Sequence, residues 1–140
     1  MSARLVAVGA AAEAYAAVAA ALAARNLRWG WLELADPEPL PPGLVAAAEV
    51  GALRAVAAGG AVSVALKRRR GAPVLRDLMR EHFAGCAVVF VRGGDAGATP
   101  RLEPEGDGFR WTPSPGESRR LSVEAAAAAL AGRAAPRGRR

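Results

Sequence analysis

The segment Val6-Ala7-Val8-Gly9-Ala10-Ala11-Ala12-Glu13-Ala14-Tyr15-Ala16 has the form of an opening strand and turn, where α/β proteins set a phosphate-binding loop. Such a loop needs glycines so that backbone N–H groups approach phosphate oxygens, a lysine to pair with them, and a Ser or Thr to hold Mg²⁺. With Gly9 as the first glycine of a G-x-x-x-x-G-K-[ST] spacing, Ala14 falls at the second glycine, Tyr15 at the lysine and Ala16 at the Ser/Thr. The loop keeps its place and lacks its cation and metal ligand.

Other groups offer anion binding rather than catalysis. Lys67, Arg68, Arg69 and Arg70 precede Gly71 and a helix opened by Pro73, so a cationic loop meets the positive end of a helix dipole. This run reads either as an anion site or as a solvated basic loop. Arg92 ends an apolar run and either binds a phosphate in the same pocket or pairs with Asp95 or Glu103. Glu33 and Asp36 are two carboxylates at one strand end, with no nucleophile or metal partner beside them. One cysteine, Cys86, and one histidine, His82, exclude an internal disulfide framework and a Cys/His metal cluster. Cys86 reads as a small core residue and His82 as a helix-surface residue. No set of acid, base and nucleophile defines an independent enzyme, so none is expected.

The elements that must position these groups alternate between strand and helix. Arg4 to Val8 is a buried strand, and Ala11 to Arg25 carries Tyr15, Val18 and Leu22 on one helical stripe that Asn26 ends. Arg28 to Leu34 is a second strand whose Trp29 and Trp31 share a face, as core or as a sticky surface. Prolines 37, 39, 41 and 42 interrupt regular structure. Leu44 to Ala58 reads as a helix weakened by Gly51, with a short strand near Leu53 to Val56 as the alternative. Ala61 to Leu66 is a strand. From Pro73, Val74, Leu75, Leu78, Met79 and Phe83 stripe one helix. Cys86 to Val91 is a strand covered on both faces. Gly93 to Gly108 reads as loop with an extended piece at Arg101 to Glu103, Phe109 to Thr112 as a last strand, and Ser122 as the N-cap of a final helix. The expectation is an α/β fold with a mainly parallel sheet flanked by helices, its ligand edge at the carboxyl ends of the strands. That edge would collect Gly9, Glu33, Asp36, Lys67, Arg92, Gly93 and Asp95.

At 140 residues the chain suits one domain, assigned to 1–132, followed by a basic tail over 133–140 expected to be disordered. The net charge of +6 is concentrated in Lys67 to Arg70 and in Arg133, Arg137, Arg139 and Arg140, which leaves a nearly neutral body. That distribution differs from a face built to track nucleic acid. Leu5 to Ala24 imitates a signal peptide, but Glu13 interrupts it and cleavage would discard the first strand and helix. A cytoplasmic protein with no membrane association is expected.

The order of segments resembles the molybdopterin-guanine dinucleotide biosynthesis adaptor proteins, small P-loop GTP-binding proteins. The resemblance rests on Val88-Val89-Phe90-Val91-Arg92-Gly93-Gly94, where the family has an apolar strand ending in Glu-Gly, and on Pro100-Arg101-Leu102-Glu103, where it has a Pro-Lys-Ile-Glu-like segment. Gly51-Ala52, the opening strand and loop, and the closing strand and helix add to it. The resemblance implies a three-layer P-loop-NTPase-like architecture whose phosphate loop is degenerate. Arg92 replaces the family's acid, and the histidines that family members often carry after the second strand are absent from Leu32 to Gly43. Hydrolysis of GTP by the usual P-loop route is therefore not expected. The implied role is a non-hydrolysing adaptor or subunit that docks to a molybdoenzyme, a cofactor-maturation factor or a larger complex, through a protein partner or self-association. No cofactor is expected, with GTP or another phosphate as the residual ligand to test for. The alternative is a small anion- or nucleic-acid-binding module using Lys67 to Arg70 and the tail.

Overall fold

The computed structural model describes residues 3–94 and 100–132. Asp95 and the arginine tail lie outside the described residues. Within the span assigned above to one domain, contacts group the chain into two compact units, one formed by the residues up to Ala35 and from Leu78 onward, the other by Asp36–Asp77.

The first unit opens with β1 (Arg4–Val8), a single 3-10 turn (Ala12–Tyr15), α1 (Ala16–Ala24) and β2 (Trp29–Leu34). Asn26 leaves α1 at φ 61°, a left-handed position that its short amide side chain tolerates. The second unit holds α2 (Pro42–Glu49), β3 (Arg54–Ala58) and β4 (Ser63–Lys67). The chain then forms α3 (Leu75–His82), β5 (Val88–Gly93), β6 (Arg101–Glu105), β7 (Gly108–Ser114), β8 (Glu117–Leu121) and α4 (Val123–Gly132).

The architecture is α/β, with a mostly parallel six-stranded sheet in the order β2-β5-β1-β6-β7-β8, flanked by helices. β1 lies between two parallel neighbours, β5 and β6, and β2 pairs parallel with β5. β6, β7 and β8 continue as an antiparallel meander. The continuous apolar runs of β1 and β5 follow from this placement, because central parallel strands bury both faces. Val88, Val89, Phe90 and Val91 are all buried. On one face, Val6, Val8, Val88 and Phe90 join Val18 and Leu22 of α1 and Ala126, Ala127 and Leu130 of α4 in a single core. The alanines let α1 and α4 approach closely over large side chains supplied mainly by the sheet. Arg4 ties this layer together: its Nη1 donates to the Ala129 carbonyl at 3.0 Å, and its guanidinium lies 5.4 Å from the Trp111 ring centroid. Ser122 caps α4 as expected, its hydroxyl accepting from the Ala125 N–H at 3.1 Å.

Several elements differ in kind or bounds from the sequence expectation. Of the two readings of Leu44 to Ala58, the shorter helix with a strand near Leu53 to Val56 is the one formed: the helix begun at Pro42 ends at Glu49, Gly51 turns the chain at φ 111°, and Arg54–Ala58 is a strand. β4 pairs antiparallel with β3 in a two-stranded sheet, outside the parallel sheet. The helix expected from Pro73 starts at Leu75. The extended piece expected at Arg101 to Glu103 is β6, which runs on to Glu105, and β8 follows the strand expected to be last. No helix among the described residues is long and apolar enough to cross a membrane.

Candidate functional site

Gly9 follows β1 at the carboxyl edge of the parallel strands, where a cleft of about 300 Å³ is lined by Gly9, Val91, Arg92, Gly93, Gly94 and Arg101, with Ala7 and Val8 beneath. Register builds this edge. Val8 pairs with Arg92 on one side of β1, and Ala7 pairs with Arg101 on the other. Gly93 and Gly94 leave β5 at φ 89° and 70°, and a Cβ on either would come within 2.8 Å of Leu34 atoms. Both positions need glycine for backbone conformation and for space.

The loop's first amide already has an anion. The Gly9 N–H donates to Glu103 Oε1 at 3.3 Å, while Glu103 Oε2 accepts from Arg101 Nε at 2.8 Å. A Cβ at Gly9 would sit 3.1 Å from both carboxylate oxygens, so the missing side chain is what lets Glu103 approach. One carboxylate thus bridges a loop amide and a guanidinium, the pattern by which proteins hold a bound oxyanion.

Tyr15, at the position of a phosphate loop's lysine, is 1% exposed. Its ring lies 5.6 Å from Phe90, 5.7 Å from Phe109 and 5.8 Å from Trp31, and its hydroxyl donates to the Leu102 carbonyl at 2.8 Å. Burial, reinforced by the negative Glu103, pushes the hydroxyl up to about 12, against the opposing pull of the Ala10 and Gly9 backbone and of Arg101. The side chain that would carry a cation to a nucleotide instead pins the loop to β6 and fills the core.

Arg92 does not complete a cluster with Arg101. Alternation along β5 sets Arg92 on the face of Val88 and Phe90, whereas β6 sets Leu102 on that core face and Arg101 on the other. Arg92 Nη1 lies 3.5 Å from Glu33 Oε2, its register partner on β2, and Trp31 Nε1 donates to the same oxygen at 2.8 Å. The ion pair expected with Asp95 or Glu103 is made with Glu33; Glu103 is engaged by Arg101, and Asp95 lies outside the described residues. Glu33 is accordingly held by an arginine and an indole, and Asp36 belongs to the other unit.

Lys67, Arg68, Arg69 and Arg70 also belong to that unit, at the end of β4, with Arg54 opposite Lys67 in the hairpin register. Arg68 Nη1 donates to the Ala48 carbonyl at 3.4 Å, and Arg68 to Arg70 are exposed. The edge expected to gather seven residues brings together Gly9, Arg92 and Gly93, joined by Glu33 through Arg92. His82 is on the surface of α3, 3.6 Å from Glu81. Cys86 is half-buried. Its sulfur lies near Gly30, where the Phe83 ring fills the space of a Cβ. Trp31 packs against the core, and Trp29 stays 40% exposed while meeting Phe90 edge-on at 5.9 Å.

A magnesium nucleotide does not fit this loop. Ala16 offers no hydroxyl to the metal, Tyr15 no cation to the phosphates, and Glu103 sets a negative charge against the first amide. What sequence reasoning missed is the place of Glu103 and Arg101 at the Gly9 loop, 94 residues from Gly9 in the case of the carboxylate. With this geometry in place the chain is an α/β protein carrying a strand-loop-helix whose first loop amide is bonded to a carboxylate from β6. It matches no family model and no curated protein.

Proposed function

We propose that the chain is a non-hydrolysing P-loop-like adaptor, a three-layer relative of the nucleotide-binding α/β proteins that docks to a molybdoenzyme, a cofactor-maturation factor or a larger complex. The observation that carries this reading is the Glu103 carboxylate on the Gly9 amide, with Tyr15 buried where a lysine would stand. Phosphoryl transfer needs positive charge on the transferring group. A loop that supplies its own anion and no cation keeps the architecture and abandons the reaction. The strand order supports the same reading, since the loop strand β1 lies directly beside β5, the strand that carries the family-like apolar run.

The test pairs chemistry with association. Purified full-length protein is expected to bind neither GTP nor GDP at micromolar concentration with Mg²⁺, and to show no turnover. Recovery of a molybdoenzyme or maturation factor with the tagged chain from native cells supports the adaptor role. Magnesium-dependent GTP turnover by the wild-type chain would overturn it.

A second reading is favoured by one feature, the exposed Arg68 to Arg70 run in the Asp36–Asp77 unit. It makes the chain an anion- or nucleic-acid-binding module, with affinity falling steeply as salt rises.

A further inference from the structure

Gly9 and Arg101 line the cleft at the carboxyl edge of β1 and β5, and both also meet one carboxylate, that of Glu103. Arg101 Nε and the Gly9 N–H both donate to Glu103, from residues on two adjacent strands, and the cavity they border is about 300 Å³. The Glu103 side chain is one-third exposed and the Arg101 side chain 42% exposed, so solvent ions reach the pair. Among the described residues, Arg101 and the Gly9 amide are the groups that hold the Glu103 carboxylate. The longer of the two, 3.3 Å from Gly9, is beyond the usual N–H···O distance and is the weaker link.

From this arrangement we infer that Arg101 and the Gly9 amide form an oxyanion site for which Glu103 is the built-in competitor, and that a phosphate-type dianion takes the position when the carboxylate is displaced or neutralised. A phosphate brings more charge and more acceptor oxygens to the same two donors, against a carboxylate that is already tethered there. The Cβ-free Gly9 leaves room for an oxygen at the amide, as it now does for Oε1. Gly93 and Gly94 line the same cleft.

This inference rests on the reading of the Gly9 loop as a phosphate loop filled from within, and not on the adaptor role. Nucleotide turnover and partner recovery can fail without bearing on it. The test is a titration of ¹⁵N-labelled full-length protein with inorganic phosphate at constant ionic strength, following the Gly9 amide. Wild type is expected to show a saturable Gly9 shift only at high millimolar phosphate. Glu103→Gln is expected to bind at least tenfold more tightly. Arg101→Ala combined with Glu103→Gln should lose that gain. Phosphate titrations that leave Gly9 unmoved in both wild type and Glu103→Gln overturn the inference, as does equal affinity with and without Arg101. Should Glu103→Gln not fold, the wild-type titration against Arg101→Ala decides the matter: a saturable Gly9 shift that Arg101→Ala removes supports the site, and no shift overturns it.

Discussion

The two regions that offered themselves as anion sites, the Gly9 loop and the Lys67 to Arg70 loop, are opposites in structure. The first has almost no cationic sequence and is held by long-range bonds, with Glu103 on its amide and Tyr15 anchored to Leu102. The second has four cations in a row at the end of a two-stranded hairpin, mostly exposed, with Arg68 reaching only a local carbonyl. Charge density in sequence thus points to one region, and constructed geometry to the other. The contrast is between donors whose place is fixed by strand register and exposed side chains, which lose entropy when they are ordered on a ligand.

Substitutions should separate the two regions sharply. Tyr15→Ala removes a buried ring from among Phe90, Phe109 and Trp31 and is expected to cost about 3–5 kcal/mol. Urea unfolding would read this as a large fall in midpoint, and a loss below about 1 kcal/mol would place the loop among the dispensable surface segments.

The next effect is alkaline. Tyr15 is the chain's one tyrosine, so phenolate absorbance reports it alone, with an expected midpoint of about 12 instead of the usual 10. The folded state prefers the neutral hydroxyl, so its stabilisation is complete below the unfolded value. It is lost as pH rises from 10 towards about 12. The loss is on the order of 2–3 kcal/mol across that window. A native protein titrating at the ordinary tyrosine value would break the argument that burial and Glu103 jointly close the loop.

Tyr15→Phe keeps the ring and removes only the bond to the Leu102 carbonyl, at an expected cost of about 1 kcal/mol. It should also abolish the alkaline step, which is the sharper readout. At the other end of the scale, Lys67→Ala/Arg69→Ala should move stability by no more than about 0.5 kcal/mol. If the basic loop serves nucleic acid, the same double variant lowers affinity and flattens its dependence on salt. Unchanged binding in a filter or fluorescence assay assigns that role elsewhere.

Much of the parallel half of the sheet is legible in the residues themselves. Leu5–Val8 and Val88–Val91 are continuous short apolar runs that fit strands covered on both faces. β8 is the contrary case. Glu117-Ser118-Arg119-Arg120-Leu121 is polar and largely exposed, an edge strand whose charges discourage pairing with other chains, so it carries no hydrophobic signal. The Arg54–Ala58 strand is hidden differently, since its alanines suit a helix and only the turn at Gly51 and pairing with β4 make it extended.

The loop divides along the same line. Sequence by itself determined that Gly9 is followed by no lysine and no Ser/Thr at the spacing a phosphate loop needs, because those roles belong to residue types counted along one short segment. Only tertiary structure decided what stands there instead. β6 lies beside β1, carries Glu103 to the Gly9 amide and Arg101 to Glu103, and offers the Leu102 carbonyl to Tyr15. Periodicity and propensity act over a few residues, whereas strand register joins residues nearly a hundred positions apart, and it is register that fills this loop with a carboxylate.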